Sequence, residues 1–175
     1  MSVEVRHQMV ALLPRLRAFG RALTREADAA DDLVQAVCEK ALRSLHLWTP
    51  GTRLDSWMFR IMQNEWIDLQ RRTRPQVPID EPANETAISR DDGRRTTEAR
   101  LTLESVRTLI ERLPEEQRAV LVLVCLEDFS YREAAEILGI PIGTVMSRLG
   151  RARGALTEAM EGTADVPARL TGQTT

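Results

Sequence analysis

The chain has 175 residues with a formal net charge of −2, and 43% of its residues are hydrophobic. This hydrophobic content is sufficient for a packed core and excludes a wholly disordered protein. Because the net charge is close to zero, any binding of nucleic acid has to depend on local clusters of basic residues. The longest apolar run, residues 119–126, is too short to cross a bilayer, and the sequence shows no signal peptide. We therefore expect a soluble, cytoplasmic protein without membrane insertion.

Charge and proline content divide the chain into two domains and a linker. Residues 1–74 carry a net charge of +3, residues 75–98 of −3 and residues 99–175 of −2. The middle piece contains three prolines and lacks the apolar period of a helix, which is typical of a linker. Elsewhere Ala, Leu, Arg and Glu dominate, which favours helix. The sequence therefore predicts an all-α protein with two small helical domains, residues 1–74 and 99–161, a flexible acidic linker at residues 75–98 and a disordered tail at residues 162–175.

In the first domain we predict three helices. The first is broken near Pro14, the second is capped by Asp28, and the third runs from about Leu54 to Arg72. The second helix has an apolar stripe formed by Val34, Val37, Cys38, Ala41, Leu42 and Leu45. Its opposite stripe is polar and acidic and is formed by Asp28, Asp32, Gln35 and Glu39. The spacing of an acidic stripe does not by itself indicate binding, because such faces are usually only solvated.

The third helix has a basic side that could bind single-stranded DNA. This side carries Arg53, Arg60, Asn64 and Arg71, with Trp57 beside them. Basic residues bind phosphates and an aromatic ring stacks on bases, so the pattern suits a single strand. The alternative is that Trp57 and Trp66 are core aromatics, which we favour for Trp66 and leave open for Trp57. The other side of the helix is apolar and is formed by Leu54, Met58, Ile61, Met62 and Leu69.

The second domain has the pattern of a helix-turn-helix. Two helices are predicted over residues 102–112 and 115–127. A short helix then starts at Ser130, where Glu133 completes a capping box, and it stops at Gly139. A last helix begins near Pro141 and runs to about Met160. A short capped helix, a glycine turn and a longer helix together form the plan of a DNA-binding helix-turn-helix.

The last helix has two distinct faces. An apolar face is expected to pack on the core and is formed by Ile142, Val145, Leu149, Ala152 and Leu156. The candidate DNA face is polar and basic and is formed by Thr144, Ser147, Arg148 and Arg151. Hydroxyls at a helix N-terminus bind phosphate, and arginine forks reach guanine in the major groove. The alternative is a merely solvated basic face, but its combination with the capped helix and turn favours DNA.

The cysteines and histidines do not form a catalytic or metal site. Cys38 and Cys125 lie far apart in apolar helical patterns, which predicts buried free thiols. His7 and His46 are isolated from each other. We therefore expect no catalytic residue, no metal and no cofactor.

Three stretches of the sequence resemble the extracytoplasmic-function (ECF) sigma factors of RNA polymerase. The stretch RLPEEQRAVLVLVCLEDFSYREAAEILGIPIGTVMSRLGRAR closely resembles their region 4. The stretch AADDLVQAVCEKAL resembles region 2.1–2.2, and LDSWMFRIMQNEWIDLQRR resembles regions 2.3–2.4. The stretches occur in the family's order and, with the linker, cover nearly the whole chain. A helix-turn-helix alone would also suit a repressor, so the region 2 match is what indicates a sigma factor.

The resemblance implies partners and site residues. It implies binding to core RNA polymerase, both the β subunit and the β′ clamp helices, and contact with the clamp helices through Asp31, Asp32, Gln35 and Glu39. It implies recognition of the −10 element by the third helix and by the loop at residues 44–53, which would hold a flipped base. It implies recognition of the −35 element by the last helix, and control by an anti-sigma factor.

Two positions depart from the family pattern beside the proposed DNA face. Met146 stands where the family usually has a basic residue, and Gly150 where it often has a larger one. We expect these two positions to alter the −35 contact without loss of the fold.

Two other functions remain open on the sequence. A sigma-like decoy would bind an anti-sigma factor and not DNA, and the arginines of the last helix argue against it. A plain helix-turn-helix regulator would use only the second domain and leaves the region 2 match unexplained. An enzyme is a more remote third alternative.

Overall fold

The computed structural model describes residues 3–73 and 103–164, and these residues contain helices and no strand. The predicted all-α fold is confirmed. The N-terminal domain consists of α1 (Val3–Thr24), α2 (Ala27–Arg43), a short 3₁₀ turn (Leu45–Leu47) and α3 (Leu54–Thr73). The C-terminal domain consists of α4 (Leu103–Arg112), α5 (Glu115–Leu121) with a π turn (Val122–Leu126), α6 (Tyr131–Leu138) and α7 (Ile142–Ala164). The predicted linker at 75–98 and most of the predicted tail lie outside the described residues.

Helix α1 is continuous, so the predicted break at Pro14 is wrong. Proline removes one backbone hydrogen bond, but Pro14 itself is exposed. Leu12 and Leu16, on either side of it, are buried in the core and hold the helix together. Helix α2 begins at Ala27, so Asp28 lies in its first turn and is not the cap. A carboxylate in the first turn still stabilises the helix through the positive end of its dipole.

The N-terminal core is formed where α1, α2 and α3 meet. The buried members of the predicted stripes of α2 and α3 are Val34, Val37, Ala41, Leu54, Met58, Ile61 and Met62. Leu42 and Leu69 are about half exposed, at 50% and 46%, so placing them in the apolar stripes was wrong. Both lie toward the C-terminal ends of their helices, beyond the packed face. Cys38 is partly buried, and this burial raises the pKa of its thiol. Cys125 is exposed, contrary to the prediction.

The helix-turn-helix forms as the sequence predicts. The Ser130 hydroxyl accepts a hydrogen bond from the Glu133 amide, and the Glu133 carboxylate accepts one from the Ser130 amide, which completes the capping box. Gly139 ends α6 with φ = 66°, a left-handed conformation that glycine adopts without steric cost. Helix α7 buries Val145, Leu149 and Ala152 and packs against α5 and α6. Its predicted core residue Ile142 is 45% exposed, because it lies in the first turn, ahead of the packed face.

The two domains pack against each other. Helix α5 contacts α1, and α6 contacts α3, so the buried side chains of both domains form one continuous core. A row of three aromatic rings crosses the boundary. Phe59 lies 5.3 Å from Phe19 and 5.2 Å from Phe129, measured between ring centroids. The boundary between the domains is therefore a packed interface in this structure.

Two glycines are expected to respond to substitution in opposite directions. A Cβ atom at Gly20 would lie 3.2 Å from the Cβ atom of Ala30, so Gly20→Val should push α1 away from α2 and lower the free energy of unfolding by about 2 kcal/mol. A Cβ atom at Gly154 would meet no atom within 4 Å. Gly154→Ala should therefore raise the free energy of unfolding by about 0.5–1 kcal/mol, because alanine has the higher helix propensity. Urea unfolding of both variants measures the difference, and equal effects would contradict the close approach of α1 and α2.

Candidate DNA and polymerase interfaces

The predicted DNA face of α7 is divided between solvent and the neighbouring helix α5. Ser147 and Arg151 are exposed, whereas Thr144 and Arg148 are half-buried. The Arg148 guanidinium lies 2.7 Å from a carboxylate oxygen of Glu116 on α5, and its side chain is 23% exposed. Ser147 and Arg151 are therefore available to a DNA groove as the helix stands, while Arg148 is held by an ion pair.

Met146 and Gly150 lie on the exposed side of α7, next to Ser147 and Arg151. The Met146 side chain is 50% exposed, and a Cβ atom at Gly150 would meet no atom within 4 Å. An apolar side chain and an open position thus stand beside the polar residues of the same surface. The expected change of the −35 contact at these positions stays a prediction.

The basic side of α3 is largely open to solvent. Arg60, Asn64 and Arg71 are exposed, and Trp57 is partly buried against the core. Trp66 is also partly buried, and its indole N–H donates to the Glu115 carboxylate at 2.6 Å. Trp66 therefore packs as predicted but also ties α3 to the C-terminal domain.

Arg53, a member of the predicted −10 set, forms an ion pair with Glu133 of the C-terminal domain. Its guanidinium donates to Asp55 at 2.8 Å and 3.1 Å and to Glu133 at 2.5 Å. It also lies over the Phe129 ring, 4.7 Å from the ring centroid. The hydrogen bonds to Asp55, and then the hydrogen bond to Glu133, raise the pKa of Arg53 above its usual value. The positive charge of Arg53 is thus paired with two carboxylates of the same chain.

Sequence reasoning did not identify Arg15, which shares Asp55 and the Phe129 ring with Arg53 but pairs with Glu127 where Arg53 pairs with Glu133. Its Nε donates to Glu127 at 2.5 Å, and one of its terminal nitrogens donates to Asp55 at 3.3 Å. Its guanidinium also lies 5.6 Å from the centroid of the Phe59 ring. In the sequence, Arg15 is distinguished only by its apolar neighbour Leu16, and this position indicates neither a partner nor a site.

The acidic face of α2 lies on the outside of the molecule. Asp28, Asp31, Asp32, Gln35 and Glu39 are all exposed. Asp31 pairs with Arg17 at 3.0 Å, and Gln35 donates to Glu39 at 3.3 Å. The four residues assigned to polymerase contact therefore share one accessible helix surface.

A cleft of about 240 Å³ separates α3 from α5 and α7. The polar side chains that line it are Gln63, Trp66, Gln70, Glu115, Glu116 and Arg148. Gln70 donates to both carboxylate oxygens of Glu115, at 3.0 and 3.2 Å. The cleft thus brings a residue proposed for the −35 element close to the helix proposed for the −10 element.

Arg118 is a buried residue that sequence reasoning missed. Its side chain is 1% exposed and donates to the carbonyl oxygens of Ala22 on α1, Leu113 and Glu111. Burial, followed by the nearby charge of Arg25, lowers the pKa of Arg118 to about 10. No spacing in the sequence distinguishes Arg118 from an exposed helical arginine, because its partners are backbone carbonyls from another part of the chain.

Removal of the cap of α6 is expected to destabilise the protein, and to do so less at low pH. Ser130→Ala should lower the free energy of unfolding by about 1 kcal/mol at neutral pH. Hydrogen bonds from Ser130, and then from Arg53, hold the pKa of Glu133 below its usual value of 4.5. A carboxylate whose pKa is lowered by folding contributes stability above its unfolded pKa, and this contribution is lost as the pH falls through the folded pKa.

The difference between wild type and Ser130→Ala should therefore shrink below about pH 4. Urea unfolding at pH 7, 5 and 3.5 measures it, with Ser130→Thr as the control that keeps a capping hydroxyl. A difference that stays constant over this range would show that the cap does not act through the Glu133 carboxylate.

The described ranges, 3–73 and 103–164, contain neither a membrane-spanning helix nor a metal-binding cluster. None of their helices combines the length and the hydropathy needed to cross a bilayer. Within the same residues, no group of three His, Cys, Asp or Glu side chains is placed to hold a metal ion.

Two family models match the chain, one in each domain. The model described as "Sigma2 domain of PhyR" matches residues 9–63, and the model described as "Sigma-70, region 4" matches residues 103–156. Among curated proteins, the ECF RNA polymerase sigma factor EcfG of Rhodopseudomonas palustris is 36% identical over 153 residues, which cover 87% of this chain and 83% of EcfG. The ECF sigma factor SigM of Mycobacterium tuberculosis is 31% identical, with 83% and 71% covered.

Similar solved structures include complexes of sigma factors with other proteins. The sigma factor RpoE, in a complex with the anti-sigma factor NepR from Bartonella quintana, matches with a TM-score of 0.69 at 30% identity and covers 91% of this chain and 98% of RpoE. CnrH, in a complex with the cytosolic domain of CnrY, matches with a TM-score of 0.61 at 26% identity, with 89% and 86% covered. The anti-anti-sigma factor PhyR, also from Bartonella quintana, matches at 0.55 and 15% identity, which shows a shared fold alone; 89% of this chain and 50% of PhyR are covered.

Proposed function

This chain belongs to the family of ECF RNA polymerase sigma factors, and from that premise we propose that each of its two domains contacts a separate part of the promoter complex. The observation that carries the proposal is the 36% identity to EcfG, which extends over 87% of the chain and so includes both domains. The protein binds core RNA polymerase and directs initiation at specific promoters. It contributes no catalytic step of its own, needs no cofactor, and acts in the cytoplasm, where RNA polymerase is found.

The N-terminal domain, residues 1–74, is assigned to the polymerase and the −10 element. Asp31, Asp32, Gln35 and Glu39 form the polymerase surface, and their common exposure on α2 supports this assignment. The −10 surface is formed by Arg53, which directly precedes α3, and by Trp57, Arg60, Asn64 and Arg71 on α3. The exposure of Arg60, Asn64 and Arg71 on one helix supports contact with a single strand.

The C-terminal domain, residues 99–161, is assigned to the −35 element. Its capped α6 and glycine turn support the helix-turn-helix assignment, with α7 as the helix that enters the major groove. Ser147 and Arg151 face solvent and contact the DNA directly. Thr144 and Arg148 belong to the same set, and Arg148 reaches DNA when its ion pair with Glu116 opens.

An anti-sigma factor controls the protein. The support is the two similar sigma factors, RpoE and CnrH, whose structures are complexes with NepR and with the cytosolic domain of CnrY. Such a partner would bind both domains and cover the two DNA surfaces. An anti-sigma factor of this chain would be recognised by two properties: it would bind both domains, and it would compete with core polymerase for them.

The match to the PhyR domain favours one alternative function. A sigma-like decoy would bind an anti-sigma factor and would not initiate transcription. The model "Sigma2 domain of PhyR" matches only residues 9–63, whereas the identity to EcfG covers both domains. The exposed Arg151 on α7 also favours DNA contact over a decoy.

The test is transcription in a purified system. The protein is mixed with core RNA polymerase and a library of genomic promoters, and the transcripts are sequenced. We expect start sites that depend on the protein. If none depend on it while an anti-sigma factor still binds it, the decoy function is correct. If the protein binds −35 DNA equally well without polymerase and no start site depends on it, it is a plain regulator.

The polymerase surface has its own test within this system. Asp32→Lys should weaken binding to core polymerase, because it reverses a charge in the middle of the acidic face of α2. Glu158→Lys makes the same change of charge at an exposed position on α7 and is the matched control. Equal binding of core polymerase by the two variants would show that α2 is not part of the polymerase interface.

A further inference from the structure

The segment from Glu127 to Glu133, here named the 127–133 segment, connects the π turn to α6 and lies against the N-terminal domain. It approaches α1 and α3 with three side chains, namely Glu127, Phe129 and Glu133. Glu127 accepts from Arg15 at 2.5 Å, and Glu133 accepts from Arg53 at 2.5 Å. Between them, the Phe129 ring lies against the Phe59 ring, with centroids 5.2 Å apart. The segment thus occupies one continuous site on the other domain.

When the 127–133 segment departs, the net charge of the remaining side chains favours the binding of one anion. The N-terminal domain contributes two cations, Arg15 and Arg53, and one anion, Asp55, which pairs with both. Without the segment the three side chains carry a net charge of +1. With Glu127 and Glu133 the site carries −1, so the segment supplies two carboxylates where one negative charge would neutralise it. A single phosphate diester has the charge that the uncovered site lacks.

The aromatic contact supplies the second half of a nucleotide site. Phe59 is fully buried and Phe129 is 2% exposed, so each ring is shielded by the other and by the surrounding core. Both guanidinium groups lie over the Phe129 ring, at 5.9 Å for Arg15 and 4.7 Å for Arg53. The Phe129 ring meets the Phe59 ring edge to face, with 72° between the ring planes. A base in the place of Phe129 would therefore stack against the guanidinium groups, with its edge toward or its face against Phe59.

From these contacts we propose that Arg15, Arg53 and Phe59 form a binding site for one nucleotide of single-stranded DNA, and that the 127–133 segment covers it as an internal mimic. Phe129 takes the place of the base, and the Glu127 and Glu133 carboxylates together take the place of one phosphate, with one negative charge in excess. The inference rests on the proposed function, since the strand is the promoter strand separated at the −10 element. It adds Arg15, on α1, to the residues that hold this strand.

Glu133 couples the cover to the helix-turn-helix. One oxygen of its carboxylate accepts from Arg53, and the other accepts from the Ser130 amide and hydroxyl at 2.8 and 2.7 Å. The capping half of this arrangement lies within the C-terminal domain and is independent of Arg53. Departure of the segment therefore breaks the contact with Arg53 and leaves α6 capped. Glutamine at this position keeps a capping oxygen and loses the negative charge.

The test measures binding of the full-length chain, without polymerase, to a fluorescein-labelled single-stranded DNA of ten nucleotides. The variant Glu127→Gln/Glu133→Gln weakens both ion pairs that hold the cover. We expect it to bind the oligonucleotide at least five-fold more tightly than wild type. Phe129→Ala opens the same site by removing the ring, and we expect a rise in affinity from it as well. Circular dichroism confirms that each variant is folded.

Two matched variants decide whether the gain comes from this site. Glu136→Gln/Glu158→Gln removes the same two charges from exposed positions of the C-terminal domain and should leave the affinity within two-fold of wild type. Adding Arg15→Ala to the Glu127→Gln/Glu133→Gln variant should abolish the gain. It should also reduce the slope of log affinity against log salt by about 0.7, the value for one lost phosphate contact on a single strand.

Three results would overturn the proposal. These are no gain from either the double glutamine variant or Phe129→Ala, an equal gain from the control double variant, and a gain that survives Arg15→Ala. The proposed function is judged separately, by promoter-dependent transcription of the wild-type protein with core polymerase. Oligonucleotide binding that fails while transcription succeeds rejects only the nucleotide site.

Discussion

Replacing Arg118 with methionine is expected to lower the free energy of unfolding by about 3 kcal/mol. Methionine keeps an unbranched apolar side chain but cannot donate to the carbonyl oxygens of Ala22, Leu113 and Glu111. A buried acceptor without a donor costs about 1–3 kcal/mol. The carbonyls of Ala22 and Glu111 would lose the guanidinium donor, whereas the carbonyl of Leu113 also accepts from Arg25 at 3.3 Å. Methionine also removes a buried charge whose pKa burial lowers to about 10, so the net loss is smaller than the sum of the separate acceptor costs.

Urea unfolding of Arg118→Met measures this loss. The control is Arg112→Met, which removes an arginine from an exposed position at the end of α4 and should change stability by less than about 0.5 kcal/mol. A loss at Arg118 no larger than the loss at Arg112 would show that water replaces the guanidinium at these carbonyls. Such a result would also show that Arg118 does not stabilise the contact between α1 and the C-terminal domain.

Replacing Arg151 with alanine is expected to reduce promoter-dependent transcription by about ten-fold or more, with unchanged binding to core polymerase. Arg151 is exposed on the solvent side of α7, where a guanidinium can bond to a guanine edge. One such bidentate contact is worth about 1–3 kcal/mol of discrimination between bases. The loss should disappear on a promoter whose −35 element has already been altered at the contacted base.

Arg153→Ala is the matched control for Arg151. Arg153 is an exposed arginine of the same helix, but it points toward Cys125, whose sulfur it approaches at 3.5 Å. It should therefore keep most of the activity. Arg148→Ala is expected to weaken transcription from −35-dependent promoters without loss of polymerase binding. Loss of both activities in that variant would make Arg148 a folding residue, held by Glu116.

The local structure of the helix-turn-helix could be predicted from the sequence because it depends on neighbouring residues. The cap at Ser130 requires only Glu133 three residues later, and the end of α6 requires only Gly139. The exposed acidic face of α2 likewise follows from helical spacing. The errors at Pro14 and Leu42 have a different cause, since each depends on how far the packed face of a helix extends.

The sequence by itself determined the helices, the capped turn and the two kinds of surface, acidic on α2 and basic on α3 and α7. Each of these depends on residues within a few positions of one another along the chain. Only the tertiary structure decided that Arg53 meets Glu133, that Arg15 meets Glu127 and that Phe59 meets Phe129. These partners are separated by 70 or more residues, with a linker between them that has no helical pattern. Periodicity does not extend across such a gap, so a packed interface between the domains leaves no local signal in the sequence.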